Sequence, residues 1–336
     1  MSSSVVLITP ETLRDQPGPH VDLLREAGFE IRYPKNRLLA RGGCDVQETL
    51  GELRGCSAVI ASSEPYLAET IAAADSLRVI ARCGVGYDRV DVAAASEHRV
   101  AVTITPTANH EAVAEHALAL ILAIAKSVGV GDRQLRAGGW PRFITRPLRG
   151  STLGILGLGR IGRSMAVRGA ALSMRVIACE QFPDESFVAQ HHIELVDQDE
   201  LLAQSDYLSL HCPLNDETRG LINRQTLAKM KPESVLINTA RGGLVVEADL
   251  IEALNTGSLF AAGLDVFEQE PASADNPLFK LDNVVVTPHL AGADSTSLRD
   301  MATEAAECIA RLSRDEWPEG AVVNDTLRER WQWQRG

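Results

Sequence analysis

Short apolar runs alternate along the chain with stretches whose apolar residues recur every three or four positions, the two periods of strand and helix. Residues 5–9, 29–33, 57–61, 77–83 and 100–104 read as strands. Between them 21–27, 46–53, 66–73 and 92–97 read as helices, the first stopped by Gly28. Thr105-Pro106 breaks the rhythm. Residues 110–127 then form a long helix, apolar nearly all round and so expected to be covered on both sides. Residues 129–140 read as a second helical stretch. From Thr152 the alternation restarts, with strands at 153–156, 174–179, 207–211, 234–238, 260–265 and 284–287. A helix at 247–255 stops at Gly257, and a last helix runs over 296–312.

Strand and helix in strict alternation give a mostly parallel sheet covered by helices. The break near residue 105 predicts two α/β domains, each a doubly wound parallel sheet. Residues 106–290 are expected to form one, and 1–105 with 291–336 the other. A chain that leaves a domain and returns to it implies a cleft and a hinge.

The second alternation opens on the most informative stretch. An apolar strand runs into Gly157, Gly159 and Gly162 in G-x-G-x-x-G spacing, and a helix follows with Ile161, Met165, Val167 and Leu172 on its expected apolar side. In this arrangement the first glycine makes a tight turn, the second lets backbone approach a pyrophosphate and the third lets helix pack on strand. The helix start offers free N–H groups and a positive dipole end to phosphate. Glu180 stands eighteen residues after Gly162, at the next strand end, where an acid grips the adenosine ribose. Strand, glycines, helix and acid together predict a Rossmann dinucleotide site; the first hundred residues contain no such motif.

Arg241, Glu270 and His289 follow successive strands of the same half. Ligands of open α/β sheets bind beyond the carboxyl ends of the strands. Taken singly, each of the three is better read as a turn or surface residue. Together, beside a dinucleotide motif, they fit hydride exchange with a 2-keto acid. Histidine handles a proton near neutrality, a carboxylate steadies the imidazolium, and an arginine fork holds carboxylate and carbonyl oxygen.

With these residues in view the chain resembles the D-isomer-specific 2-hydroxyacid dehydrogenases. G-L-G-R-I-G, H-C-P-L-N-D-E-T-R-G, L-I-N-T-A-R-G-G, G-L-D-V-F-E-Q-E-P and T-P-H-L-A-G occur in that family's order. The resemblance implies a Rossmann NAD-binding domain inserted in a flavodoxin-like substrate domain, with Arg241, Glu270 and His289 as the catalytic trio. It implies NAD contacts from Arg160, Ile161, Glu180, Thr218, Thr239, Ala240, Asp265 and Gly292, with His211, Cys212 and Pro213 on the adenine side. For the substrate it implies Arg82, the backbone amides of Val85 and Gly86, Asn109 near by, and Arg142 lent by a partner subunit. A homodimer through the NAD-binding domain is implied as well. Within the family the motifs are similar to those of phosphoglycerate dehydrogenases without their regulatory domain; glycerate, hydroxypyruvate or glyoxylate reduction is the alternative. The segment Ala61-Ser62-Ser63-Glu64, where a phosphate-binding arginine would be expected, offers no cation and adds an acid, and Arg89 stands where asparagine is common. An NAD-sensing binding protein like the C-terminal-binding-protein corepressors shares the motifs, but its peptide-binding features are not evident. A Rossmann methyltransferase or epimerase would not need the trio.

Composition adds boundaries. The chain has 336 residues, 45% hydrophobic and 23% charged, as for an ordinary globular enzyme. A net charge of −12 argues against a general nucleic-acid binder. The six cysteines are dispersed, without zinc or redox spacing, so no metal site and a reduced, cytoplasmic setting are expected. Neither a secretory leader nor a membrane span is expected.

Overall fold

The computed structural model describes residues 4–334. It divides into two compact units, Met1–Asn109 with Ala293–Gly336, and His110–Gly292. The divisions fall after Asn109 and after Gly292, so residues 106–109 join the first unit and 291–292 the second.

The first unit is built on β1 (Val5–Ile8), β2 (Glu30–Arg32), β3 (Cys56–Ala61), β4 (Val79–Arg82) and β5 (Ala101–Thr103). They form one parallel sheet in the order β2-β1-β3-β4-β5, the flavodoxin-like order. β3 and β4 are buried almost throughout because both faces are covered. On one face helix Pro19–Glu26 packs with helix Ser295–Leu312, whose Ala302, Ala305, Ala306 and Ile309 enter a core with Val6, Ile8, Ile60 and Val79. On the other, Leu7, Val59, Ile80 and Val102 pack with Leu53, Ile71, Leu77 and Ala95.

The second unit holds β6 (Thr152–Leu156), β7 (Arg175–Cys179), β8 (Glu194–Leu195), β9 (Tyr207–Leu210), β10 (Val235–Asn238), β11 (Ala261–Leu264) and β12 (Val284–Val286). The sheet is parallel, in the order β12-β11-β10-β9-β6-β7-β8. This is the Rossmann order with a seventh strand, and the sequence direction reverses between β6 and β9. Helix His110–Ala125 lies on β10–β12 and against helix Arg160–Ala171, which explains its nearly uniform apolar character. Gly263 makes the close approach possible, since a Cβ there would stand 3.0 Å from Leu120 Cβ and 2.8 Å from Ile237 Cδ1.

Helix Arg160–Ala171 buries Gly162, Ser164, Met165, Ala166 and Gly169. Val167, expected on its apolar side, is exposed instead. The close contacts at Gly162 and Gly169, whose Cβ atoms would meet Gly157 O at 2.0 Å and Leu153 Cδ2 at 2.5 Å, set that face of the helix against the sheet. Three short helices, Glu185–His191, Gln198–Gln204 and Arg224–Leu227, and β8 lie in stretches whose periodicity predicted nothing. No single helix among the described residues is long and apolar enough to cross a membrane.

Candidate active site

The turn after β6 is shaped by its neighbours. Gly157 has φ +96°, and a Cβ there would lie 2.6 Å from Cys212 N. Backbone 211–212, leaving β9, thus runs against the glycine turn at the point where strand order reverses, the place where open sheets bind ligands. Gly159 differs: its φ is −68°, it is exposed, and an added Cβ would meet nothing within 4 Å. Packing within the chain gives no reason for glycine there; a ligand lying on the backbone does. Gly159 also caps helix Arg160–Ala171 without any side-chain hydrogen bond, leaving its first N–H groups open to an anion. Arg160 is exposed on that first turn and Ile161 half-buried.

Glu180 follows β7, and its carboxylate accepts hydrogen bonds from Leu158 N at 2.6 Å and Phe182 N at 3.0 Å. This fixes a negative charge at the mouth of the glycine turn. Burial pushes the pKa of His211 down to about 4, so its ring is neutral at ordinary pH. Its Nε2 pairs with Ser209 Oγ at 2.8 Å, while Nδ1 is buried without a partner among the described residues. Thr239 Oγ1, past the end of β10, is likewise buried and unpartnered. The Thr218 hydroxyl donates to Pro213 O at 2.7 Å and closes the 213–218 loop. Orphaned polar atoms, an uncapped helix start and an open glycine fit a dinucleotide laid across these strand ends.

Arg241, Glu270 and His289 lie in the same unit, and a hydrogen bond joins the last two. His289 Nδ1 lies 2.8 Å from Glu270 Oε2. A carboxylate can only accept, so Nδ1 carries the hydrogen and Nε2 is left to face a ligand. The other oxygen, Glu270 Oε1, accepts from Phe267 N at 3.1 Å, which orients the carboxylate. Both side chains are partly exposed, 42% for His289 and 21% for Glu270. Arg241 caps a short 3-10 turn after β10; its Nη1 donates to Ala240 O at 2.7 Å, and Asn238 Nδ2 donates to its backbone oxygen at 2.8 Å. Gly242 lets this turn close, for a Cβ would overlap the Phe267 carbonyl at 1.9 Å.

His289 has φ +51°, in the left-handed region. For a residue with a Cβ that conformation costs about 1–2 kcal/mol, and the surroundings impose it. His289 N donates to Asp265 O at 2.8 Å. The Asp265 side chain, 1% exposed, accepts from Leu290 N at 3.0 Å, Ala291 N at 2.8 Å and the Thr287 hydroxyl at 2.6 Å. Asp265 and Thr287, whose hydroxyl also lies 2.9 Å from His116 Nε2, therefore build the turn that presents His289. Neither Thr287 nor His116 was singled out from sequence; one adjoins a strand end and the other sits among alanines and leucines of a core helix. Gly292 ends this unit.

The expected substrate residues fall in both units. Arg82 is buried in the first, its Nε donating to Gly86 O at 3.0 Å and Nη1 to Glu64 O at 3.3 Å. The side chain thus holds the loop that carries Val85 and Gly86. Asn109 is buried in that unit, and Arg142 is exposed in the second. Among the described residues no group of His, Cys, Asp or Glu is placed to hold a metal ion.

Residues 118–291 match the model of the D-isomer specific 2-hydroxyacid dehydrogenase, NAD binding domain. A D-3-phosphoglycerate dehydrogenase of Archaeoglobus fulgidus is 40% identical over 88% of this chain and 55% of its own length. A glyoxylate reductase of Korarchaeum cryptofilum is 38% identical over 83% of this chain and 86% of its own. The crystal structure of the TT0316 protein from Thermus thermophilus superposes with a TM-score of 0.84 at 37% identity, covering 95% of this chain and all of that one. The fold and site define a nicotinamide-dinucleotide-binding protein of two doubly wound domains. The chain belongs to the D-isomer specific 2-hydroxyacid dehydrogenase family. It spans about half the length of the phosphoglycerate dehydrogenases it matches.

Proposed function

We propose that the protein interconverts a D-2-hydroxy acid and its 2-keto acid with NAD. The observation that carries this reading is the Glu270–His289 pair at 2.8 Å, standing at strand ends of a dinucleotide-binding sheet. When bound, the dinucleotide supplies or accepts the hydride. His289 Nε2 gives its proton to the carbonyl oxygen in reduction and takes it back in oxidation. Glu270 holds the ring through Nδ1 and so aims Nε2 at the ligand. Arg241 holds the substrate carboxylate. NAD rather than its 2′-phosphate is favoured by Glu180, whose carboxylate would repel a phosphate and is followed by the uncharged Gln181, Phe182 and Pro183.

Relatives with phosphorylated and with unphosphorylated substrates are equally compatible with the trio. The buried Arg82, engaged with two carbonyl groups of its own unit, favours a short unphosphorylated 2-keto acid, because a cation so held is poorly placed to take a phosphate. A homodimer is supported by residues 128–144. Helix Val128–Arg136 buries none of its residues, and Val128, Leu135, Trp140, Phe143 and Ile144 are exposed, Ile144 completely. A patch of this kind marks an interface.

The test is a panel of 2-keto acids, with and without phosphate, followed with NADH and with NADPH. Turnover is expected with NADH and is expected to be lost, by about a thousandfold or more, in His289→Ala, while NADH binding persists. A His289→Ala protein as active as the native one, or equal efficiency with NADPH, would refute the respective assignment.

A further inference from the structure

The hydrogen bonds around Asp265 specify more than a turn. Thr287 has one hydroxyl hydrogen, and Asp265 Oδ1, which also accepts from Leu290 N, has none to give. At 2.6 Å the Thr287 hydroxyl therefore donates to Asp265. The contact between Thr287 Oγ1 and His116 Nε2, at 2.9 Å, must then run the other way, with His116 as donor. His116 Nε2 is also 3.6 Å from Asp265 Oδ1, close enough to add attraction but too far for a direct hydrogen bond.

We propose that His116 is a positioning residue for His289: it donates through Nε2 to Thr287, which donates to Asp265, which fixes the left-handed turn on which His289 stands. The chain reaches from the core helix His110–Ala125 to the reacting edge of the sheet. Asp265 is buried, with 1% of its side chain exposed, and His116, at 18%, and Thr287 are half-buried. Removing the His116 donor frees Thr287 to turn away from Asp265, and the carboxylate then loses its grip on residues 287–291. The reach of His289 Nε2 changes while the glycine turn and Glu180 are untouched.

The inference rests on His289 as the acid–base group, and its test separates the two. Nitrogen-15 NMR of the imidazole ring in the whole protein, without dinucleotide, reads the His116 hydrogen independently of turnover; an Nε2-bound hydrogen is expected. In keto-acid reduction, His116→Leu and Thr287→Val should each lower kcat by about tenfold to a hundredfold, with the dissociation constant for NADH unchanged within about twofold. His116→Gln, which keeps a donor, and Thr287→Ser should restore most of the rate. The double variant His116→Leu/Thr287→Val should be no slower than either single one, as for residues in one network. A hydrogen on Nδ1 with a bare Nε2, full kcat in His116→Leu, an equal loss in His116→Gln, or a loss confined to NADH binding would each overturn the proposal. If His116→Leu fails to fold, Thr287→Val against Thr287→Ser decides it.

Discussion

Glu64 shows how far a single residue can be read from its letter. Beside the expected substrate loop it suggests a charge opposed to phosphate. In the fold it is fully buried, with Oε1 accepting from the Thr9 hydroxyl at 2.6 Å and Tyr66 OH at 3.0 Å. Burial raises its pKa above the ordinary 4.5, against the pull of Arg82. An acid whose folded value is raised holds its proton more tightly folded than unfolded. Its contribution to stability is therefore complete below 4.5 and is lost as pH climbs through the folded value. Glu64→Gln keeps both accepted bonds and cannot ionise. The melting temperature of Glu64→Gln minus that of the native protein should increase from pH 5 to pH 8; a difference independent of pH would show that Glu64 does not titrate in this range. By contrast, the strand-end places of Arg241, Glu270 and His289 were legible in sequence because each follows an apolar strand. His116 and Thr287 were not, since their role lies in a hydrogen-bond direction that only the packing of a helix against a strand end creates.

At the scale of elements, the long buried strands and helices declared themselves through period and glycine stops. Helix Glu185–His191 buries none of its residues and Gln198–Gln204 only the adjacent Leu201 and Leu202, so neither carries an apolar stripe of helical period. Their caps were the readable feature: Asp184 accepts from Phe187 N, and Asp197 from Glu200 N. The glycine motif divides by the same reasoning. Gly162→Ala would drive a methyl into Gly157 O, at 2.0 Å, and should lower the melting temperature by many degrees or abolish folding. Gly159→Ala meets open space at a negative φ and should melt within a degree or two of the native protein, because a few tenths of a kcal/mol separate the two residues there. Yet it should weaken NADH binding by about tenfold or more, each tenfold being about 1.4 kcal/mol. Calorimetry and a fluorescence titration check the pair; an unstable Gly159→Ala with native affinity would mean that the glycine serves the fold.

For the whole molecule, the two-unit plan was visible in the break at Thr105-Pro106, although the divisions lie four residues later, after Asn109, and two residues later, after Gly292. The assembly is the part that one chain leaves open. A patch holding Trp140, at 78% exposure, and Ile144, at 100%, predicts association of two copies. Ile144→Asp should shift the protein from dimer to monomer in sedimentation velocity without lowering the melting temperature of the monomer's own core. A monomeric native protein at micromolar concentration would dismiss this interface.

Helix Ser295–Leu312 packs on helix Pro19–Glu26 and on β3 and β4, so the first unit is closed by residues almost three hundred positions beyond its opening strand. The second unit is continuous. During synthesis, where domains condense as they become complete, the order of emergence and the order of folding therefore differ. The middle of the chain can settle while the opening strands wait, their apolar face bare, until the last helix leaves the ribosome. Chains cut short before that helix would release a sound nucleotide-binding core joined to a sticky, half-built partner, a species for chaperones and proteases to remove.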